Sequence, residues 1–294
     1  MPTPARKQYL TIKQQHKDAI LLFRMGDFYE TFDDDARILS RELEIALTSR
    51  EMGRKQRVPL AGIPYHTLDN HLARLIKKGY KVAVCEQTGD PATAKGPVDR
   101  QVVRVVTPGT VVEDSLLDVK SNNYLMSVVT DGGTVGVAYA DITTSEFATS
   151  QFDAQDLPVE LARLSPAEIL LGEGQDPPEL SNGTTISMVD SEIFDLAWAR
   201  ESLMEHFGVT SLEPFGCDNL PLAVRASGAV LQYIRRTQPA ALGLITSLQT
   251  YSTSSYMVLD PQTRRNLELF QGGRWGTTDA SLYSILDRTE TAMG

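Results

Sequence analysis

Phe28 and Glu30 are the residues of this sequence that packing alone explains least. They stand in the run Arg24-Met25-Gly26-Asp27-Phe28-Tyr29-Glu30, just after the apolar stretch Ala19–Phe23. If the chain is extended there, side chains alternate between faces. Phe28 and Glu30 then project together, and Tyr29 turns away to pack inward with Phe32. A projecting ring with a carboxylate two residues on suits insertion between stacked bases, the carboxylate testing what lies beside the ring. Met25 and Asp27 flank the ring and are candidates to touch the same groove, or to support it. The competing reading is a core aromatic and a solvated Glu beside Asp33, Asp34 and Asp35, since apolar residues near a strand are mostly buried.

A second constellation is acidic. Asp131, Asp141 and Glu146 fall on or between strand-like stretches, and carboxylates gathered on adjacent strands can hold two divalent ions for hydrolysis. Asp131 sits in a turn, however, and no convincing fourth ligand follows, so surface carboxylates are the ordinary reading. Cys85 and Cys217 are too far apart for a metal or disulfide spacing and read as reduced, buried small hydrophobes. No G-x-x-x-x-G-K-[ST] loop occurs, so no ATP site is expected within these residues.

Several elements must position these groups. Thr3 and Pro4 open a first helix to about Gln15, with Tyr9 and Ile12 inward. Ala19–Phe23 has the length of a buried strand, and Gly26-Asp27 is a turn signal. A helix over Asp33–Leu43 places its acidic triplet at its positive end. Residues 48–57, with Arg50, Arg54, Lys55 and Arg57, read as a flexible basic loop able to meet phosphates, or as a solvated hairpin loop. Val58–Pro64 is a strand, and Thr67 caps a helix with Leu68, Leu72, Leu75 and Ile76 on one side. Lys81–Glu86 and Gln101–Val106 are strands around a Pro/Gly-containing loop, Gly89–Gly96, that carries Lys95. After Thr107-Pro108-Gly109-Thr110 come strands Tyr124–Thr130, Val135–Asp141 and Glu146–Gln151, the first two joined by the tight turn Asp131-Gly132-Gly133. Helices over Phe194–Phe207 and Leu220–Arg236 follow, then a Ser/Thr-rich stretch and a helix containing Asn266-Leu267-Glu268-Leu269.

Charge divides the chain. Residues 1–112 hold 18 Lys+Arg against 13 Asp+Glu, a net of +5, and the remainder nets −15. A basic part ahead of an acidic one points to nucleic acid at one end. A +5 part binds DNA weakly through phosphates alone, so further contacts must help. The N-terminus has no signal-peptide pattern and no apolar run is long enough to cross a bilayer, which makes a cytoplasmic location the expectation.

The sequence resembles the N-terminal part of the MutS family of DNA mismatch repair proteins. The resemblance rests on Thr3-Pro4, Gln8-Tyr9, Met25–Glu30, Ala61-Gly62-Ile63-Pro64-Tyr65-His66, Cys85-Glu86-Gln87 and Gly89-Asp90-Pro91-Ala92. It continues through Lys95-Gly96-Pro97-Val98, Arg104–Thr110, Leu259-Asp260, Thr263–Glu268 and Leu286–Thr289. Each alone is weak; their order together is specific. The resemblance implies an α/β chain: a small mixed α/β mismatch-binding domain over 1–110 and a linker over 111–121. An RNase-H-like connector domain over 122–240 follows, then the incomplete start of a helical core over 241–294. It implies that Phe28 enters the minor groove at a mispaired or unpaired base, that Glu30 hydrogen-bonds that base, and that the DNA bends. Arg50, Arg54, Lys55, Arg57 and Lys95 are the expected phosphate contacts, and His66 a turn or capping residue. Mismatched duplex DNA and, through the connector, a MutL-like protein are the implied partners, with no membrane. The family's ATPase and clamp, with ATP and Mg, lie further along than this chain reaches, so it is expected to be no enzyme, a fragment or a truncated product. The family forms a homodimer; this chain alone is expected as a monomer. A MutL-binding scaffold without DNA binding, and less readily a metal nuclease around Asp141, are the alternatives.

Overall fold

The computed structural model describes residues 3–53, 57–88, 98–113, 116–117, 121–180, 183–253, 263, 266–269 and 281–289. The chain divides into two units, Met1–Leu117 with Ile234–Ala240, and Asp118–Tyr233 with Ala241–Gly294. The expected stretches at Arg54, Lys55 and Gly89–Gly96, and most of the helix around Asn266, lie outside the described residues.

The first unit is built on a six-stranded mixed sheet. Its elements are α1 (Pro4–Gln15), β1 (Ala19–Met25), β2 (Phe28–Phe32), α2 (Asp33–Leu43), β3 (Thr48–Glu51), β4 (Arg57–Pro64), α3 (Leu68–Ile76), β5 (Lys81–Gln87) and β6 (Arg100–Val106). The strand order is β3-β4-β2-β1-β5-β6, with β1 and β5 parallel and the other neighbours antiparallel. The unbroken apolar run of β1 follows from burial on both faces. Ile20 and Leu22 join Ala36, Leu39 and Leu43 of α2 and Leu72 and Leu75 of α3 on one side. Ala19, Leu21 and Phe23 join Tyr9 of α1 and Phe32 on the other.

Local chemistry sets the helix ends. The Thr3 hydroxyl accepts from the Arg6 backbone N–H, and Pro4 occupies the first turn of α1. The acidic triplet opens α2 as expected, and two of its members also pin the fold. Asp33 pairs with Arg6. Asp35, buried, accepts from the Leu21 backbone N–H at 3.0 Å and from the Tyr9 hydroxyl, and pairs with Lys13 at 2.9 Å.

Two expectations need correction. Thr67 stands at the N-cap of α3 as expected but makes no side-chain cap bond: its hydroxyl donates back to the Pro64 carbonyl at 2.8 Å, closing the turn before the helix. Residues 48–57 are not all loop, because Thr48–Glu51 pair antiparallel with Arg57–Leu60 as an edge strand. All four β3 residues are exposed, so no apolar alternation marks the strand in the sequence.

The second unit holds β7 (Leu125–Asp131), β8 (Thr134–Asp141), β9 (Glu146–Asp153), α4 (Leu157–Leu164), β10 (Glu168–Gly172), β11 (Thr185–Val189), α5 (Leu196–Phe207), α6 (Pro221–Thr237, whose end falls to the first unit) and β12 (Gln249–Thr250). Its sheet runs β11-β10-β7-β8-β9-β12: an antiparallel meander β7-β8-β9 with β10 and β11 added parallel beside β7. Gly132 and Gly133, with φ +55° and +89°, make the β7–β8 turn that their sequence signals. α4 covers one face through Leu157, Leu161 and Leu164. On the other face a Cβ at Gly136 would lie 2.2 Å from the Leu222 backbone of α6, so only glycine admits the helix that close.

Candidate nucleic-acid interface

The β1–β2 hairpin ends in the two-residue loop Gly26-Asp27, with Met25 paired to Phe28. Gly26 has φ +60°, the left-handed conformation that this kind of tight hairpin turn needs at its first central position. The turn is braced from β4, where Phe28 pairs with Pro64 and the Tyr65 N–H donates to the Asp27 carbonyl at 2.9 Å.

At this tip Phe28 is 46% exposed, while Tyr29, Thr31 and Phe32 in the same strand are buried. A large apolar ring is thus held outward on the hairpin, without the burial that its strand neighbours gain. Glu30 follows on the same face. Its carboxylate is paired with Arg50, one guanidinium nitrogen lying 2.8 and 3.0 Å from its two oxygens. The carboxylate end of that pair is the more enclosed, with 16% of the Glu30 side chain exposed. Met25 is half-buried against the α1-side core, which gives it a supporting place beneath the ring. Asp27 is exposed at the turn.

Tyr29 does not pack with Phe32. Three residues apart on a strand, they face opposite sides: Tyr29 enters the core under α2 and α3, and Phe32 the core under α1. The Tyr29 hydroxyl donates to Glu86, and burial with that carboxylate behind it pushes the phenol up to about 12. Phe32 shares its face with Phe28 and Glu30, at the buried end of the same row.

One residue at the tip was not among the sequence candidates. Arg24 stacks its guanidinium 4.2 Å from the centre of the Tyr65 ring and donates to the Gly26 carbonyl at 2.5 Å. Tyr65 is itself 47% exposed, so the tip shows a second aromatic beside Phe28. The run Arg24–Glu30 contained the signal, but a basic residue before a turn has no distinctive spacing.

The basic candidates divide. Arg50 is committed to Glu30. Arg57 is exposed and bonded to the Ser49 hydroxyl at 3.1 Å and carbonyl at 3.2 Å, which braces the β3–β4 ladder and leaves its charge outward. Arg54, Lys55 and Lys95 lie outside the described residues. His66 falls in the turn before α3, as expected.

The acidic set in the second unit does not assemble. Asp141 is fully buried, and its oxygens accept from the backbone N–H groups of Asn123 and Thr143, both at 2.9 Å, and from the Thr143 hydroxyl at 2.6 Å. Glu146, paired across from it, accepts from Tyr124 at 2.8 Å and Asn122 at 3.2 Å. Asp131 lies at the far end of the β7–β8 hairpin. Among the described residues, no group of three His, Cys, Asp or Glu is placed to hold a metal. Cys85 and Cys217 are both free and buried, and burial pushes the Cys85 thiol up to about 12. No described helix is long and apolar enough to cross a membrane.

The fold and the tip together define a two-unit α/β protein whose first unit offers an exposed aromatic beside a tethered carboxylate. Comparison with known proteins makes the class specific. Residues 3–115 match MutS domain I and residues 123–246 match MutS domain II. The chain is 52% identical over 295 residues to the DNA mismatch repair protein MutS of Dehalococcoides mccartyi, covering 99% of this chain and 34% of that protein. It is 47% identical over 303 residues to that of Symbiobacterium thermophilum and 46% identical over 303 residues to that of Methanococcoides burtonii. The chain spans about a third of the length of these curated relatives. It belongs to the MutS family and carries that family's domains I and II.

Proposed function

We propose that this chain recognises mispaired or unpaired bases in duplex DNA, the first step of mismatch repair, through the β1–β2 tip. Phe28 enters the minor groove and stacks on the faulty base, Glu30 accepts a hydrogen bond from it, and the DNA bends at the wedge. The observation that carries this reading is the exposure of Phe28 on a braced hairpin where Tyr29, Thr31 and Phe32 of the same strand are buried. Unstacking a base step costs a few kcal/mol, and less where pairing is already poor, so a wedge finds weak steps through deformability rather than sequence. A mispaired base can present an imino proton or a protonated ring nitrogen to Glu30, whereas a correct pair keeps its donors engaged. The carboxylate therefore raises the cost of entering normal duplex. Arg57, Arg54, Lys55 and Lys95 supply sequence-independent phosphate contacts. The acidic second unit suits a protein partner, a MutL-like protein by the family's pattern.

The reading is tested by fluorescence anisotropy of the chain on a G·T heteroduplex and the matched homoduplex at low salt. The wild-type chain is expected to prefer the heteroduplex, and Phe28→Ala to remove most of that preference. Equal binding to both duplexes, unchanged by the substitution, would sink the assignment of the wedge.

A further inference from the structure

Arg50 stands on an edge strand whose four residues are all exposed, yet its guanidinium turns back over the sheet to Glu30. The register permits this: Glu30 pairs with Gly62 of β4 and Arg50 with Val58 of the same strand, so both side chains rise from one face. Gly62 adds no side chain opposite the carboxylate. A Cβ there would stand 3.6 Å from the Glu30 Cγ and 3.1 Å from the Tyr29 carbonyl oxygen. The pair is thus enclosed at the carboxylate and open at the guanidinium, with 16% and 48% of the side chains exposed.

We propose that Arg50 is a positioning residue for Glu30 rather than one more phosphate contact. It fixes the carboxylate on the face that carries Phe28 and cancels its charge until a base donor competes for it. The inference rests on the reading of Phe28 and Glu30 given above. A bare carboxylate approaching a groove is repelled by phosphates on both strands, and a neutral pair is not. A partly exposed ion pair contributes little by itself, so a donor on a mispaired base can join or displace the guanidinium at small cost. A matched pair offers no such donor, the Glu30–Arg50 contact stays closed, and the unstacking cost has no return. A phosphate contact would behave differently, because its loss weakens binding to every duplex alike and regardless of Glu30.

The test is a double-mutant cycle on the 294-residue chain, using anisotropy on the G·T heteroduplex and its homoduplex with Arg50→Met, Arg50→Lys, Glu30→Ala and the Glu30→Ala/Arg50→Met pair. Arg50→Met is expected to lower the heteroduplex preference about threefold to tenfold, in the lower part of the coupling range for groups in contact. Arg50→Lys is expected to restore part of it, and in the Glu30→Ala background Arg50→Met is expected to change the preference less than about twofold. The proposal is overturned if Arg50→Met weakens both duplexes equally, or lowers the preference as much without Glu30 as with it. A wild-type preference that Phe28→Ala abolishes and Arg50→Met leaves intact refutes the Arg50 role alone. Absence of any wild-type preference refutes the Phe28–Glu30 reading, and this inference with it. Should Arg50→Met melt early, Arg50→Lys, which keeps the charge and the stem, carries the cycle.

Discussion

Phe28 and Phe32 share one face of β2, and their positions in the fold set them apart. Phe28 is 46% exposed and Phe32 is 1% exposed, edge-on to Tyr9 with ring centres 4.8 Å apart. Truncating a buried Phe typically costs about 3–5 kcal/mol, while surface changes stay within about 0.5 kcal/mol. Phe32→Ala is therefore expected to lower the urea midpoint sharply and Phe28→Ala hardly at all. A comparable loss in both variants would mean that the wedge is a core residue in solution. Alternation placed Phe28 and Glu30 together from the sequence alone, because period two is a local property of the strand. It could not find the Arg50 partner: residues 20 positions apart meet only once the β2–β4 and β3–β4 registers are known. Arg24 was missed for a related reason, since its stacking partner Tyr65 arrives from the turn after β4.

At the scale of elements, strands buried on both faces and helices with apolar stripes were legible, and the features that escaped have physical causes. β3 carries no apolar residue, so its pairing rests on the β4 backbone and on the Arg57 side chain bonded to Ser49. The Thr67 hydroxyl donates to the Pro64 carbonyl and accepts no bond from the first turn of α3. The sequence favoured surface carboxylates over a metal set around Asp141, yet Asp141 is fully buried. In the fold, backbone N–H groups and a hydroxyl occupy the Asp141 oxygens. Gly136 supplies the sharpest test of an element contact. It lies mid-strand, where glycine ordinarily weakens pairing, and its only benefit is admitting α6. Gly136→Ala would press a methyl group to 2.2 Å from the Leu222 backbone, far inside van der Waals contact. Overpacking of this kind costs about 1–3 kcal/mol or more. Equilibrium unfolding of Gly136→Ala should show a loss in that range; an unchanged midpoint would mean that α6 does not sit against β8 there.

Over the whole molecule, the proposed function raises the question of how a chain of net charge −10 would hold DNA. On the proposed reading, its charge division would confine weak phosphate binding to residues 1–112 and leave discrimination to the tip. Screening supports that division, because at 0.1 M salt exposed charges act over only about 10 Å. With Arg50 committed to Glu30, the phosphate candidates reduce to Arg54, Lys55, Arg57 and Lys95. Displacing about four counterions gives a slope of log affinity against log salt of roughly −3 to −4. Both duplexes present the same phosphates, so the slopes should match, and the heteroduplex preference should be nearly constant while absolute affinity falls. Anisotropy titrations between about 50 and 200 mM salt measure both quantities, over a range where salt dependence is steep for any phosphate-driven binder. A much steeper slope on the heteroduplex would place additional phosphate contacts in the discriminating step. The wedge and its tethered carboxylate would then be accessories to bending rather than its cause.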